Sequence, residues 1–342
     1  MSGSRARSVI MPVLFPVLLA GCGLLIIFLM QAVLSSYLIT VVSFVFLNMI
    51  LAVSLNITNG FTGLFSLGHP AFMSIGGYIA ALLILPVSRK GVFLPELPQW
   101  LAVQEWGLLP AVIVGGVIAA VFAVLIGFPV LRLKGHYLAV ATLGFIIIVQ
   151  VLIRNMEGYT RGALGLNGLK PLSSIWWIYL WLVITVYTAW KLKFSSFGRT
   201  LFALRENVMA AECLGINSAW TKIIAFAGGA FFAGVTGGLW AHLTTVITPN
   251  SFSIILAFNL VVMVVVGGNG SITGAMTAAV LMTVVVEFLR PLEEKTGLYG
   301  LSQVLVSAAL LGVLIFRPQG LFGSREPWFL MRAGRKNGET EP

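Results

Sequence analysis

Long apolar runs separated by short polar segments dominate the pattern along the chain. A membrane-crossing helix needs about 20 mostly apolar residues. On that criterion the pattern predicts an all-α polytopic membrane protein with about ten transmembrane or membrane-embedded helices, some of them broken or re-entrant. The predicted spans are 9–30, 37–57, 64–86, 108–131, 136–153, 173–192, 220–243, 253–268, 271–290 and 301–316.

These runs predict one transmembrane domain over residues 1–316 and a polar, basic tail over 317–342. Positive charge sets the expected orientation, because Lys and Arg concentrate in cytoplasmic loops. With the N-terminus inside, the inner segments hold 14 of the 21 Lys and Arg and the outer segments hold 7. This bias predicts that both termini lie inside.

Composition agrees with the hydrophobic pattern. Apolar residues make up 58% of the 342, and charged residues only 9%, whereas ordinary globular domains carry about 25% charged residues. This excludes a soluble enzyme, a disulfide scaffold, a disordered chain and a nucleic-acid-binding protein. Leu19-Ala20-Gly21-Cys22 resembles a lipoprotein cleavage site, but the apolar run continues to Met30 and many spans follow, which favours an ordinary first span.

Chemical motifs are scarce in this chain. There is no Gly-Lys pair, hence no phosphate-binding loop for ATP hydrolysis, and the three histidines are far apart. All eleven acids are Glu, and only Glu287 falls inside a predicted span. Arg290, three residues later, is expected to pair with it near the membrane interface. We therefore expect no metal or cofactor on this chain and no enzymatic activity. An ion-coupled carrier is disfavoured, although backbone carbonyls can bind sodium and a stand-alone secondary carrier stays open.

The segment 55–78 is rich in glycine and polar residues at membrane depth. Irregular backbone is tolerated there only when it is packed in protein or lines a wet cavity. His69-Pro70 suits a helix start, because Pro at the first helical position gives up an amide that would be unpaired anyway. We expect this segment to border a translocation path; a glycine-packed helix hairpin is the alternative interpretation.

Five blocks of sequence carry a specific resemblance. They are GLFSLGHPAFMSIGGYIAALL (63–83), LRLKGHYLAVATLGF (131–145), FGRTLFALRENVMAAECLGIN (197–217), VVVGGNGSITGAM (264–276) and FRPQGLFG (316–323). In this order they closely resemble bacterial branched-chain amino-acid ABC transporter permeases of the LivM type.

The resemblance implies that residues 197–217 form a cytoplasmic coupling helix that docks on an ATPase subunit. Permeases of importers show a Glu-Ala-Ala-x-x-x-Gly pattern there, and Ala210, Ala211 and Gly215 match its small positions. Met209 occupies the glutamate position, and Glu206, one helical turn earlier, offers a substitute carboxylate. The expected coupling residues are Arg199, Arg205, Glu206, Met209, Ala210, Ala211 and Gly215.

Helical spacing within this region predicts a packing face made of Leu201, Leu204, Val208 and Ala211. The alternative interpretation is an amphipathic helix at the membrane surface, anchored near lipid head groups by Arg199 and Arg205.

The resemblance further implies an ATP-driven importer of branched-chain or similar small amino acids, in the bacterial inner membrane. The expected partners are two ATP-binding subunits that hold ATP and Mg²⁺, a second homologous permease and an extracytoplasmic substrate-binding protein. Related permeases carry urea or short amides, which stay open as alternative substrates. The expected path residues are Asn56, Thr58, His69, Tyr78, Tyr137, Thr142 and Asn259.

Overall fold

The structure, a computed structural model, describes residues 21, 23–24, 27–133, 135–297, 300–317, 319–323 and 326. Helices dominate this part of the chain. The only strands within it are β1 (Leu166–Asn167) and β2 (Val246–Ile247), which pair antiparallel. The all-α prediction is therefore confirmed.

The helices follow one another with short connections, after a helical stretch at residues 27–33. Three short elements interrupt the α-helices: a π-helix at Asn56–Gly60 that continues α1, and 3₁₀ turns at Gly162–Leu164 and Pro249–Phe252. The α-helices are α1 (Ser36–Leu55), α2 (His69–Ile84), α3 (Val87–Phe93), α4 (Gln99–Ala102), α5 (Leu108–Val130), α6 (His136–Asn155), α7 (Glu157–Thr160), α8 (Ile175–Lys193), α9 (Ser196–Glu206), α10 (Val208–Cys213), α11 (Ser218–Thr244), α12 (Ile254–Gly267), α13 (Ile272–Thr296) and α14 (Leu301–Phe316).

Seven helical segments in the described part of the chain are long and apolar enough to cross a membrane. They contain α1, α5, α6, α8, α11, α12 and α13, and each coincides with a predicted span. Helices α2 and α14 have only 16 residues each, and α2 forms a pair with α3 that bends by 116°. Most of the predicted first span, 9–30, and Cys22 lie outside the described residues, so the number of spans and the orientation stay predictions.

Helix α11 lies at the centre of the bundle and packs against α1, α2 and α5. Glycines allow this packing. A Cβ atom on Gly76 of α2 would lie 2.4 Å from the Cα of Gly234 on α11, and a Cβ on Gly115 of α5 would lie 2.6 Å from the carbonyl oxygen of Gly76. Small residues at such positions let helix backbones touch, which is how helices associate where lipid is as apolar as the side chains.

The outer face of α5 shows the complementary feature. Val117, Val121 and Leu125 recur at intervals of four residues and are exposed, whereas Ala119 and Ala123 on the opposite face are fully buried. A stripe of exposed branched side chains is unfavourable in water and stable against lipid. The stripe therefore marks a membrane-facing surface.

We expect Gly234→Val to destabilise the bundle by about 1–3 kcal/mol, because the added methyls overpack a site where backbones touch. The matched control is Gly228→Val on the same helix, since a Cβ at Gly228 meets no atom within 4 Å. Thermal unfolding in detergent should give a lower midpoint for the first variant only. Equal midpoints would show that the glycine contact does not hold α2, α5 and α11 together.

Candidate functional site

The first helix break lies between α1 and α2, inside the bundle. The side chain of Asn59 pairs with the backbone of Ser66: its Nδ2 donates to the carbonyl at 2.9 Å, and its Oδ1 accepts from the amide at 3.2 Å. The amide of Leu67 donates to the Thr142 hydroxyl at 3.0 Å. Thr142 lies six residues into α6, or about 9 Å along it, so residues 63–68 re-enter the bundle. This confirms the predicted irregular backbone, and α2 begins at His69 with Pro70 in its first turn, as predicted.

The second break, at residues 268–271 between α12 and α13, is tied to the first by one buried side chain. Asn56 Nδ2 donates to the carbonyl of Ser271 at 2.8 Å, and Asn56 Oδ1 accepts from the amide of Gly270 at 2.9 Å. Both ends of the Asn56 amide are thus used to join the two breaks. The position of Asn56 along a translocation path stays a prediction. In the structure, its side chain holds the two helix breaks together.

The predicted coupling region forms two helices, so the expectation of one continuous helix was wrong. Asn207 has extended backbone angles (φ −156°, ψ 109°) and separates α9 from α10. Its side chain accepts a hydrogen bond from the amide of Ala210 at 3.0 Å, which stabilises the start of α10. Glu206 ends α9 and is exposed. It therefore does not lie one turn before Met209 on the same helix.

Helix α9 connects this region to both breaks. Leu201 and Leu204 are buried, as predicted. Arg205 Nη1 donates to the carbonyl of Gly60, at the end of the π-helix, at 2.7 Å and to the carbonyl of Asn269 at 3.1 Å. Arg205 thus contacts the two helix breaks at once.

Arg199, which was also expected to be a coupling residue, makes its hydrogen bond within its own helix and not to the breaks that Arg205 contacts. Its guanidinium donates to the hydroxyl of Ser196 at 2.9 Å, at the start of its own helix, and its side chain is exposed.

Helix α10 buries one face and exposes the other. Ala211 is buried and Val208 is half-buried, which completes the predicted packing face. Ala210 is exposed, and Met209 and Leu214 are 76% and 81% exposed. This apolar surface faces away from the bundle.

Gly215 ends α10 for a conformational reason. Its φ is +82°, and its amide donates to Glu212 at 2.9 Å while the amide of Ile216 donates to Ala211 at 3.1 Å. This pair of bonds is a Schellman motif, which requires left-handed backbone at this residue. A Cβ at Gly215 would meet no atom within 4 Å, so lack of space within the chain does not explain the glycine.

Thr58 and His69, both expected along the path, lie together in the interior. A Cβ on Gly229 of α11 would be 2.3 Å from the Thr58 hydroxyl and 3.4 Å from the His69 ring. Both side chains are buried, and neither the hydroxyl nor the ring nitrogens make a well-formed hydrogen bond within the described residues. Gly229 lies eleven residues into α11, about 16 Å along it, so this polar pair sits deep in the bundle.

The remaining expected path residues lie elsewhere. The Tyr78 hydroxyl donates to the carbonyl of Ile247 at 3.5 Å, and Asn259 accepts from the side chain of Gln303 at 3.0 Å. Tyr137, near the start of α6, is 73% exposed. The seven residues thus do not converge on one cavity, and their function in transport stays a prediction.

A cavity of about 890 Å³ lies where α9, the second break and the tail meet. Arg205, Asn269, Arg317 and the segment 319–323 line it, and a smaller pocket of about 100 Å³ beside it also contacts Arg205 and Asn269. Neither Asn269 nor this tail was predicted to be functional. Both lie in blocks of sequence that carry the family resemblance, 264–276 and 316–323, and this is the feature that could have identified them.

Glu287 lies in α13 and pairs with Arg290, with 3.7 Å between its Oε1 and Nη1 of Arg290. The Tyr37 hydroxyl donates to its other oxygen at 3.4 Å. The predicted ion pair is confirmed.

We expect Gly215→Ala to strain the left-handed backbone by about 1–2 kcal/mol and to open the end of α10. Gly215→Asn is the control, because Asn is the side chain that best tolerates this conformation. Hydrogen exchange at the Ile216 amide should be about tenfold faster in the Ala variant than in the Asn variant. Equal exchange rates would contradict the Schellman assignment.

Comparison with known proteins supports the resemblance. The family described as branched-chain amino acid transport system / permease component matches residues 36–316. The permease LivM of Escherichia coli is 31% identical over 85% of this chain and 71% of its own length. The permease LivH of Salmonella typhimurium is 25% identical over 81% of this chain and 91% of its own length.

A partial relative is the autoinducer 2 import system permease LsrC of Yersinia pseudotuberculosis, which is 29% identical over 43% of this chain and 42% of its own length. No solved structure matches the chain significantly. The family match covers most of the sequence, and the membrane-crossing helices of the structure agree with it. The chain therefore belongs to the branched-chain amino-acid transport permease family and is a multi-pass inner-membrane protein.

Proposed function

We propose that the chain is the translocating permease of an ATP-driven importer, and that it carries branched-chain or similarly small amino acids into the cell by alternating access. The proposed complex contains a second homologous permease, two ATP-binding subunits and an extracytoplasmic substrate-binding protein. The names of the relatives LivM and LivH support the paired permeases. The observation that carries the proposal is the contact of Arg205 with both helix breaks.

The Arg205 contacts give a route for movement. Gly60 ends the π-helix that continues α1, and Asn269 lies three residues before α13, so a displacement of α9 acts on one side of each break. Hydrogen bonds to a charged group are worth about 1.5–3 kcal/mol each, enough to favour one arrangement of the breaks over another. Transport then follows as a shift between outward- and inward-facing populations, which differ in these contacts.

The surface of α10 supplies the proposed contact with an ATP-binding subunit. Met209 and Ala210 on α10, and Leu214 directly after it, are all exposed. Exposed apolar side chains next to small residues fit a groove on a partner protein, because burial there removes apolar surface from water. Met209 stands where the importer pattern described above has a glutamate, so the proposed contact is apolar at this position.

ATP is favoured over an ion gradient by the state of Glu287. The hydropathy pattern places only this carboxylate inside a span, and it is paired with Arg290 and Tyr37. A coupling carboxylate has to be able to release its partner for the ion. Both carboxylate oxygens of Glu287 have partners, Arg290 and Tyr37, so this carboxylate is not free to bind a coupling ion.

Similarity to the named relatives favours an amino acid as the substrate of this chain. The likeness to LivM covers 85% of the chain, whereas the likeness to the autoinducer 2 permease covers 43%. The deep polar groups near Gly229 are the Thr58 hydroxyl and the His69 ring, and neither is a carboxylate or an ammonium group. Such groups can hydrogen-bond a small zwitterion without holding it as tightly as an opposite charge would.

We expect Arg205→Met to reduce ATP-dependent uptake of leucine, isoleucine and valine at least tenfold, since it removes both bonds to the helix breaks. Thr200→Ala on the same helix is the control, because that hydroxyl donates only to Phe197 of α9 at 2.7 Å. Uptake is measured in proteoliposomes that contain the purified complex. Uptake by the wild-type chain without any ATP-binding subunit, driven by an ion gradient, would instead establish a secondary carrier.

We expect Met209→Lys and Leu214→Lys to weaken binding of the ATP-binding subunit without lowering the melting midpoint, because both side chains are already exposed. Val103→Lys is the control, since Val103 is 73% exposed and lies between α4 and α5, outside the coupling region. Affinity purification in mild detergent measures the amount of subunit retained. Full retention in both α10 variants would refute docking at this surface.

A further inference from the structure

The tail that follows α14 packs against the second helix break. The amide of Leu321 donates to the carbonyl of Val266 at 2.8 Å, and the amide of Phe322 donates to that of Gly267 at 3.2 Å. A Cβ on Gly320 would lie 2.6 Å from the Cα of Gly268. The tail backbone therefore lies directly on the end of α12 and holds it by main-chain hydrogen bonds.

Glu326, further along the tail, binds the start of α13. Its Oε1 accepts from the amide of Ile272 at 2.8 Å, and its Oε2 accepts from the amide of Thr273 at 3.2 Å and from the Thr273 hydroxyl at 2.5 Å. The first amides of a helix have no partners within the helix and favour a negative charge. Glu326 thus caps α13 from a distant part of the sequence.

Lys193 joins this cap to the coupling region. Its Nζ lies 2.5 Å from Glu326 Oε1 and donates to the carbonyl of Gly270 at 2.6 Å. The Lys193 and Glu326 side chains are 8% and 1% exposed. Lys193 is the last residue of α8, and α9 begins three residues later at Ser196. The pair therefore connects the start of α13 to the base of the coupling region.

We propose that Glu326 and Lys193 are positioning residues for transport, which make the start of α13 follow the junction of α8 and α9. This inference rests on the proposed function. Separating the two charges inside the protein leaves each without its partner, which is strongly unfavourable. The junction, the tail and the start of α13 must then move together, by a connection that is separate from Arg205.

The protonation state of Glu326 agrees with this arrangement. Burial by itself raises the pKa of the carboxyl, but the Lys193 ammonium and the donors at Thr273 and Ile272 outweigh it and hold the pKa below its usual value. A lowered pKa means that the folded state favours the carboxylate. The ion pair is therefore formed at neutral pH and is lost only as the pH falls through the lowered pKa.

The test compares Lys193→Met, Glu326→Gln and the double variant, with Lys193→Arg as the conservative variant that keeps the charge. The control is the ion pair Lys170–Glu105, whose side chains are 46% and 37% exposed beyond the other end of α8. Two quantities are measured on the purified complex: the melting midpoint, and the number of amino acids imported per ATP hydrolysed.

We expect each single variant to lower the midpoint, and the double variant to lower it by less than the sum. We also expect the import-to-hydrolysis ratio to fall at least tenfold in Lys193→Met and Glu326→Gln. Lys193→Arg should keep most of the ratio, and Lys170→Met with Glu105→Gln should change neither quantity.

Additive midpoint shifts would show that the two side chains do not interact, and an unchanged ratio in Glu326→Gln would show that the pair only stabilises the fold. Either result overturns the inference. If Lys193→Met fails to assemble, Glu326→Gln and Lys193→Arg still decide it. Failure of the proposed function looks different, because the wild-type complex itself would then show no ATP-dependent uptake.

Discussion

A helix that breaks inside an apolar bundle leaves amides and carbonyls that only the protein can pair, and a buried polar group without a partner costs about 1–3 kcal/mol. The structure meets this constraint with side chains. Asn59 and Thr142 pair the backbone of residues 63–68, and Asn56 pairs that of Gly270 and Ser271. The positions of α2 and α13 depend on these few amide and hydroxyl groups.

The same constraint makes the breaks suitable for transmitting motion. An intact helix pairs its own backbone groups, whereas the ends of a broken helix depend on bonds to neighbouring segments, so a shift of those segments changes the geometry of the break. Arg205 bonds to the carbonyl at the end of the π-helix, just before the first break, and to a carbonyl within the second break. A cation on a surface helix thus provides hydrogen bonds that the breaks themselves lack, so the position of that helix and the geometry of the breaks are linked.

The predictions from sequence were accurate where hydrophobic patterning or backbone chemistry decides the structure. The seven long spans, the irregular segment before His69 and the Glu287–Arg290 pair follow from composition and local spacing. The break at Asn207 was missed, because helical spacing of Leu201, Leu204 and Ala211 persists across one extended residue and conceals it.

Contacts between distant segments could not be predicted in this way. Asn56 and Gly270 are 214 residues apart, and Glu326 and Lys193 are 133 apart. No local pattern in hydropathy or charge pairs them. The polar side chains expected along a path were chosen because polarity is rare in a span. In the structure, such polar side chains fall into two groups. Asn56 and Thr142 form hydrogen bonds with backbone groups at the helix breaks, whereas Thr58 and His69 form no such bonds.

The cationic side chains that contact the second helix break lie at the base of the coupling region and not beside the deep polar pair at Gly229. The deep polar pair at Gly229 consists of the Thr58 hydroxyl and the His69 ring, and it contains no carboxylate of the kind that usually binds a coupling ion. The cations Arg205 and Lys193 instead lie where α8 and α9 meet the second break, each bonded to a carbonyl there. Force applied to α9 is therefore resisted first by charge-assisted hydrogen bonds, which are among the strongest contacts available. Under the proposed function, a partner bound at this surface supplies the work that moves these contacts.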